Sequence, residues 1–198
     1  MKRAAIAALL ALAATPAAAA PAPTDVSASR KVEADGSHTL VHEVVVEAEP
    51  ASVWAAIATA EGWKSWAVPV AWAPQPDIIE TSYDPAAKPG DKSTIRQRVL
   101  ARIPGRLLLF STVKAPAAFP DFDTYAKVTS FIELEPAGAG RTRVRLTGVG
   151  YADSPAGRKL LGFFEQGNRV SLDQLRTRFR DGPIDWPKRL REERAKGE

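Results

Sequence analysis

Between His38 and Val46 the chain has a two-residue rhythm that places Leu40, His42, Val44 and Val46 on one side of a β-strand. Another strand-like run, Val26 to Glu33, precedes it, and Asp35-Gly36 lies between the two. Asp-Gly predicts a two-residue hairpin turn, because glycine accepts the positive φ that such a turn needs, and the earlier strand is expected at an edge. Pro50 starts a helix to about Thr59, since the first helical position has no use for an N–H. Val53 and Ile57, one turn apart, give it a buried stripe beside Trp54. Ala60 to Trp66 reads as a second short helix carrying Trp63 and Trp66, and residues 67–76, rich in proline and holding Trp72, read as a loop.

Five strand candidates follow, over residues 77–83, 93–103, 107–114, 127–135 and 141–151. In the last, Arg141, Arg143 and Arg145 share one face and Thr142, Val144 and Leu146 the other; Ile132 and Leu134 face inward opposite Glu133 and Glu135. Ser154-Pro155 is a cap and a first-turn proline, so a long helix runs from there to about Arg180 and stops at Gly182-Pro183. Leu160, Leu161, Phe164, Leu172, Leu175 and Phe179 form its apolar stripe, and Gly162 and Gly167 suit a helix lying close to a sheet or a ligand. Residues 183–198 read as a charged tail. Strand, two short helices, strands only, then one long helix predicts an α+β fold: a curved antiparallel sheet wrapped around a long C-terminal helix. A cavity between sheet and helix comes with that arrangement.

Composition adds two things. Met1-Lys2-Arg3, the apolar run Ala4 to Ala14 and the alanine run after Thr15-Pro16 follow the pattern of a cleaved signal peptide over residues 1–19. Residues 20–37 would then form an N-terminal segment with the edge strand, and residues 38–182 the ligand-binding domain. The apolar run is too short for a confident membrane anchor. The expected location is periplasmic or secreted. With no cysteine in 198 residues, the protein would hold together there by packing, without disulfides or a lipid anchor. The net charge of +4 includes Lys2 and Arg3, so the mature chain is only mildly basic, which does not suggest a nucleic-acid partner.

Candidate chemistry is sparse. His38 and His42 are the only histidines, and four residues along a strand separate them by about 13 Å, too far to chelate one ion. His42 faces inward, either as a hydrogen-bonded core residue or as a proton-transfer group on the cavity wall. The chain has no cysteine, no G-x-S-x-G and no P-loop, and Glu165 and Asp173 read as surface charges. Binding features are richer. Trp66, Trp72, Phe119, Phe122 and Tyr125 lie in or beside two long loops, where they either close the core or line a cavity mouth. Strand parity puts Ile95, Gln97, Val99 and Ala101 on the cavity floor, with Tyr83 nearby. Phe164, Gly167, Asn168 and Ser171 share a helix side that would form the roof.

The segment VVVEAEPASVWAAI…GWKSW, with Ala48, Val53, Trp54 and Trp66, resembles the opening of the SRPBCC/START-like helix-grip superfamily, in its polyketide cyclase and heat-shock ATPase activator homologue branch. ELEPAGAGRTRVRL (Glu133 to Leu146) resembles its penultimate hairpin, and FFEQGNRVSLDQLRTRF (Phe163 to Phe179) its C-terminal helix. The aromatic insertion AAFPDFDTY and Asn168, where relatives often carry tryptophan, depart from the pattern. The resemblance implies a cavity that serves binders and enzymes alike. The expected function is an exported carrier or sensor of a small hydrophobic molecule, with no metal, no cofactor, no nucleic acid and no stable membrane anchor, and its oligomeric state left open. The alternative is a cyclase- or hydratase-like enzyme using His42 or a buried carboxylate. A chaperone accessory conflicts with export.

Overall fold

The computed structural model describes residues 26–117, 119 and 121–197; the expected signal peptide, residues 1–19, lies outside them. Strand β1 (Ser27–Val32) pairs antiparallel with β2 (His38–Val46), at the sheet edge as expected. Their turn is longer than the two residues anticipated. The Glu33 N–H donates to Ser37 O at 2.8 Å and the Gly36 N–H to Glu33 O at 2.9 Å, enclosing Ala34, Asp35 and Gly36. Gly36, at φ +83°, supplies the left-handed residue that closes such a three-residue loop.

Helix α1 (Pro50–Ala58) buries Val53, Ala56 and Ile57. Helix α2 (Ala60–Lys64) is capped by Thr59, whose hydroxyl accepts from the Gly62 N–H. Gly62 has to be glycine for this packing, because a Cβ there would lie 2.1 Å from the Ala55 carbonyl oxygen. Trp63 and Trp66 donate their indole N–H groups to Ile57 O at 2.7 Å and Ala56 O at 3.0 Å, so the end of α1 orients both rings.

Residues 67–76 are not simply a loop, since Val70–Gln75 form strand β3. It bonds to one neighbour only, which is why it can hold Pro74: an edge strand has N–H positions with no ladder partner to lose. Strands β4 (Ile78–Ser82), β5 (Ile95–Ile103), β6 (Leu107–Lys114), β7 (Thr129–Pro136) and β8 (Thr142–Tyr151) complete one antiparallel sheet in the order β1-β2-β8-β7-β6-β5-β4-β3. A short helix, α3 (Phe122–Tyr125), sits between β6 and β7.

Helix α4 (Pro155–Asp181) packs across β2 and β8 on the concave face of the curved sheet. The Ser154 hydroxyl caps it by accepting from the Gly157 N–H at 3.1 Å. The expected charged tail is also ordered: residues 186–197 form helix α5 (Trp186–Gly197). It is tied back by Ile184 N–H to Ser65 O at 3.0 Å and by Trp186 Nε1 to Lys64 O at 2.6 Å.

Two apolar clusters clamp α4 at separate places. Leu172 and Leu175 join a large core with Val53, Ile57, Trp66, Phe110 and Ile132. Leu160 and Leu161 join a smaller one with Leu40, Val128, Tyr125 and Tyr151. The stretch of α4 between these anchors bridges a gap.

Candidate ligand-binding cavity

That gap is a cavity of about 160 Å³. Its floor is the concave face of β4 to β8, where Thr81, Gln97, Thr112, Ser130 and Gly148 point inward. The roof is one face of α4, made by Phe164, Asn168, Ser171, Leu172 and Leu175, which recur at three- and four-residue spacing. Trp63, Trp66 and Val68 close the end nearest α2, and Phe119 and Tyr125 wall off the other. There the Tyr125 ring stacks on Phe164 with centroids 4.4 Å apart, and Phe119 lies 5.1 Å from Tyr125.

Of the residues singled out from sequence, Trp66, Tyr83, Gln97, Phe119, Tyr125, Phe164, Asn168 and Ser171 come together around this space. Trp72, Phe122 and Gly167 do not. Trp72 pairs with Glu80 on β4, while Ala71 pairs with the inward-facing Thr81, so register sends the indole to the opposite sheet face. Phe122 opens α3 outside the lining, and the same helix turns Tyr125 inward. Gly167 sits beyond the edge of the roof, and a Cβ there would meet nothing within 4 Å. The argument that Gly162 and Gly167 mark a close approach therefore fails for both, because Gly162 also has open space beside it. On the floor, Ile95 and Gln97 line the cavity, but the ladder slips between Val99 and Ala101, leaving Val99 in the core and Ala101 exposed. Thr112, Ser130 and Tyr151 were missed. Parity with Phe110 and with Ile132 would have found the first two.

The family profile for polyketide cyclase / dehydrase and lipid transport proteins matches residues 37–180. The chain belongs to that family. Solved structures agree in fold, as the helix-grip resemblance implied. The Aha1 dimer from Colwellia psychrerythraea aligns with a TM-score of 0.56 and 16% identity, covering 73% of this chain and 97% of that one. CalU16 from Micromonospora echinospora gives 0.55 at 17% identity, over 87% and 94%. The di-domain ARO/CYC BexL, from the BE-7585A biosynthetic pathway, gives 0.54 at 18% identity, over 70% of this chain and 45% of that one. No curated protein sequence matches the chain.

In this member of the polyketide cyclase / dehydrase and lipid transport family the cavity lining contains, among the described residues, no Asp, Glu, Lys, Arg, His or Cys. Its ionisable groups are tyrosines. Burial pushes the Tyr125 hydroxyl pKa up from 10, against hydrogen bonds from Thr112 and Ser130, and burial likewise raises that of Tyr151. Both are neutral hydroxyls at physiological pH.

The two acid–base candidates sit elsewhere. His42 is fully buried between β2 and α4, with Nε2 2.9 Å from Glu165 O, and is not part of the lining. Glu80, the fully buried carboxylate, points to the other face of β4. There it accepts from the Gly90 N–H at 2.8 Å and lies 3.1 Å from Arg96 Nε. Burial works to raise its pKa, but the Thr94, Gly90 and Arg96 donors outweigh that and hold it below the ordinary carboxylate value. Among the described residues no group of three or more His, Cys, Asp or Glu is placed to hold a metal ion, and no helix is long and apolar enough to cross a membrane.

Proposed function

We propose that this protein binds a small apolar or aromatic molecule in the cavity between sheet and α4, as a carrier or sensor. One observation carries this reading. The lining combines aromatic and aliphatic walls with a few neutral polar groups and, among the described residues, no charged side chain. Mostly apolar concave sites with a few placed polar groups are what small-molecule binding asks for. The family's description, which names lipid transport beside cyclase and dehydrase activity, accommodates the reading.

A cyclase- or hydratase-like role finds less support. Proton transfer works best with a group that titrates near the working pH. His42 and Glu80 lie outside the lining, and burial pushes the Tyr125 and Tyr151 hydroxyls within it further above that range.

The test is a titration with naphthalene, followed by quenching of the wall tryptophans Trp63 and Trp66 and by calorimetry. Saturable one-site binding is expected, and Ser171→Trp, with an unchanged circular dichroism spectrum, should abolish it. No saturable uptake by the folded parent would overturn the reading. Native mass spectrometry of protein isolated from its own host would identify the natural ligand.

We also propose that the protein is exported, on the basic, apolar and alanine-rich pattern of residues 1–19. The mature protein's intact mass should then start near Ala20 or Pro21, and retention of Met1 would overturn this.

A further inference from the structure

The polar groups of the cavity are not scattered. Gln97 and Thr112 are cross-strand partners on β5 and β6, and Ser130 and Gly148 are partners on β7 and β8. The Tyr125 hydroxyl lies beside the Thr112 and Ser130 side chains in the lining and so adjoins both pairs. The Tyr151 hydroxyl rests over Gly148, 2.8 Å from where a Cβ would be, so the glycine makes room for it. The result is one continuous neutral row across the floor, from the Gln97 amide to the Tyr151 hydroxyl. Asn168 and Ser171 stand on the roof above. Among the described residues no hydrogen bond within the protein engages the Gln97 or Asn168 amides or the Ser171 hydroxyl.

Nearby cations are held away from this row. The Lys114 ammonium donates to Gly90 O, Asp91 O and Thr94 Oγ1, at 3.0, 2.5 and 2.7 Å. Arg96 pairs with Glu80, and Arg178 donates to Ser65 Oγ at 3.3 Å.

Resting on the binding reading above, we propose that the floor row and roof pair select an uncharged, oxygen-bearing ring compound, a phenol or aromatic ketone, and reject the corresponding carboxylate. A phenol or ketone exchanges its hydrogen bonds with water for bonds to free amides and hydroxyls. A carboxylate would lose its hydration with no cation among the described lining residues to meet it, which is a far larger penalty than moving a neutral polar group. A hydrocarbon of the same shape would fit, but would leave the row's polar groups without partners.

Three ligands of one skeleton test this on the unmodified protein at neutral pH: naphthalene, 2-naphthol and 2-naphthoate. The naphthol should bind tightest, about tenfold or more over the naphthoate, because an unpaired charge is the costlier burial. It should also exceed naphthalene, and that second advantage should shrink in Tyr125→Phe. Gln97→Lys, checked for folding by circular dichroism, should gain naphthoate binding. If that variant does not fold, the three-ligand series on the parent decides. Naphthoate binding as tightly as naphthol, or naphthol no better than naphthalene, would overturn the proposal and leave the binding reading standing. Failure of all three ligands would instead remove the binding reading itself.

Discussion

His42 shows how one buried side chain ties pH to stability. A carbonyl can only accept, so the bond to Glu165 O puts the hydrogen on Nε2 and leaves Nδ1 as a bare lone pair without a partner. Burial is the main reason its pKa lies below 6.5; the Glu165 carbonyl pulls the other way, the Arg169 charge adds to the depression and the Glu165 carboxylate opposes it. That carboxylate is itself paired with Arg30. The unfolded chain takes up a proton near 6.5 while the folded chain resists it. The contribution of His42 is therefore complete above that value, and is lost as pH falls from there toward the folded pKa. Urea midpoints measured from about pH 8 to pH 5 should decline across this window. His42→Leu should flatten the decline while costing about 1 kcal/mol at high pH through loss of the hydrogen bond. An unchanged slope would show that another group titrates there.

At the level of elements, the glycines of α4 divide into two kinds. A Cβ on Gly157 would sit 1.9 Å from Ala152 O, so the turn entering the helix depends on its absence. Gly162 and Gly167 have nothing within 4 Å. Gly157→Ala should destabilise by about 1–3 kcal/mol, as overpacking against backbone does. Gly162→Ala and Gly167→Ala should each stabilise by about 0.5–1 kcal/mol, because alanine loses less entropy in a helix. Thermal unfolding of the three variants checks both signs. The same pair explains what the sequence could not disclose. A glycine carries no mark of which way its empty side faces, whereas Phe164, Asn168 and Ser171 could be placed by helical spacing. Strand parity placed Ile95 and Gln97 rightly but misplaced Val99 and Ala101, because the ladder slips between those two. Trp72, read as a loop residue, is turned away by its cross-strand pairing with Glu80. Edge strand β3 and surface helix α5 were missed because proline and charge report exposure, and an exposed segment can still be regular.

On the scale of the whole molecule, α5 lies beyond the residues matched by the family profile and holds the α2 end of the cavity through Lys64 and Ser65. Ending the chain after Gly182 should cost about 2 kcal/mol or more, since the Ile184 and Trp186 hydrogen bonds are lost together with the contact of Arg189 on the Gln174 amide. Ligand should also escape faster past a loosened Trp63 and Trp66 wall, as read by stopped-flow release of naphthalene. Unchanged stability and release would make α5 a passive appendage. The sheet order has a further consequence, in time. Every neighbouring pair of strands is consecutive in the chain except β2 and β8, whose ladder joins His38 to Tyr151 and Val46 to Thr142. Pairings this distant form slowly, because the closure entropy is lost before the contacts form. A chain delivered N-terminus first, as in passage through an export channel, therefore makes its β1-β2 hairpin early and must wait for almost the whole remaining domain before β2 finds its partner. Any product that stops short of Thr142 leaves that strand edge open, and such fragments are expected to clump with one another rather than work at reduced strength.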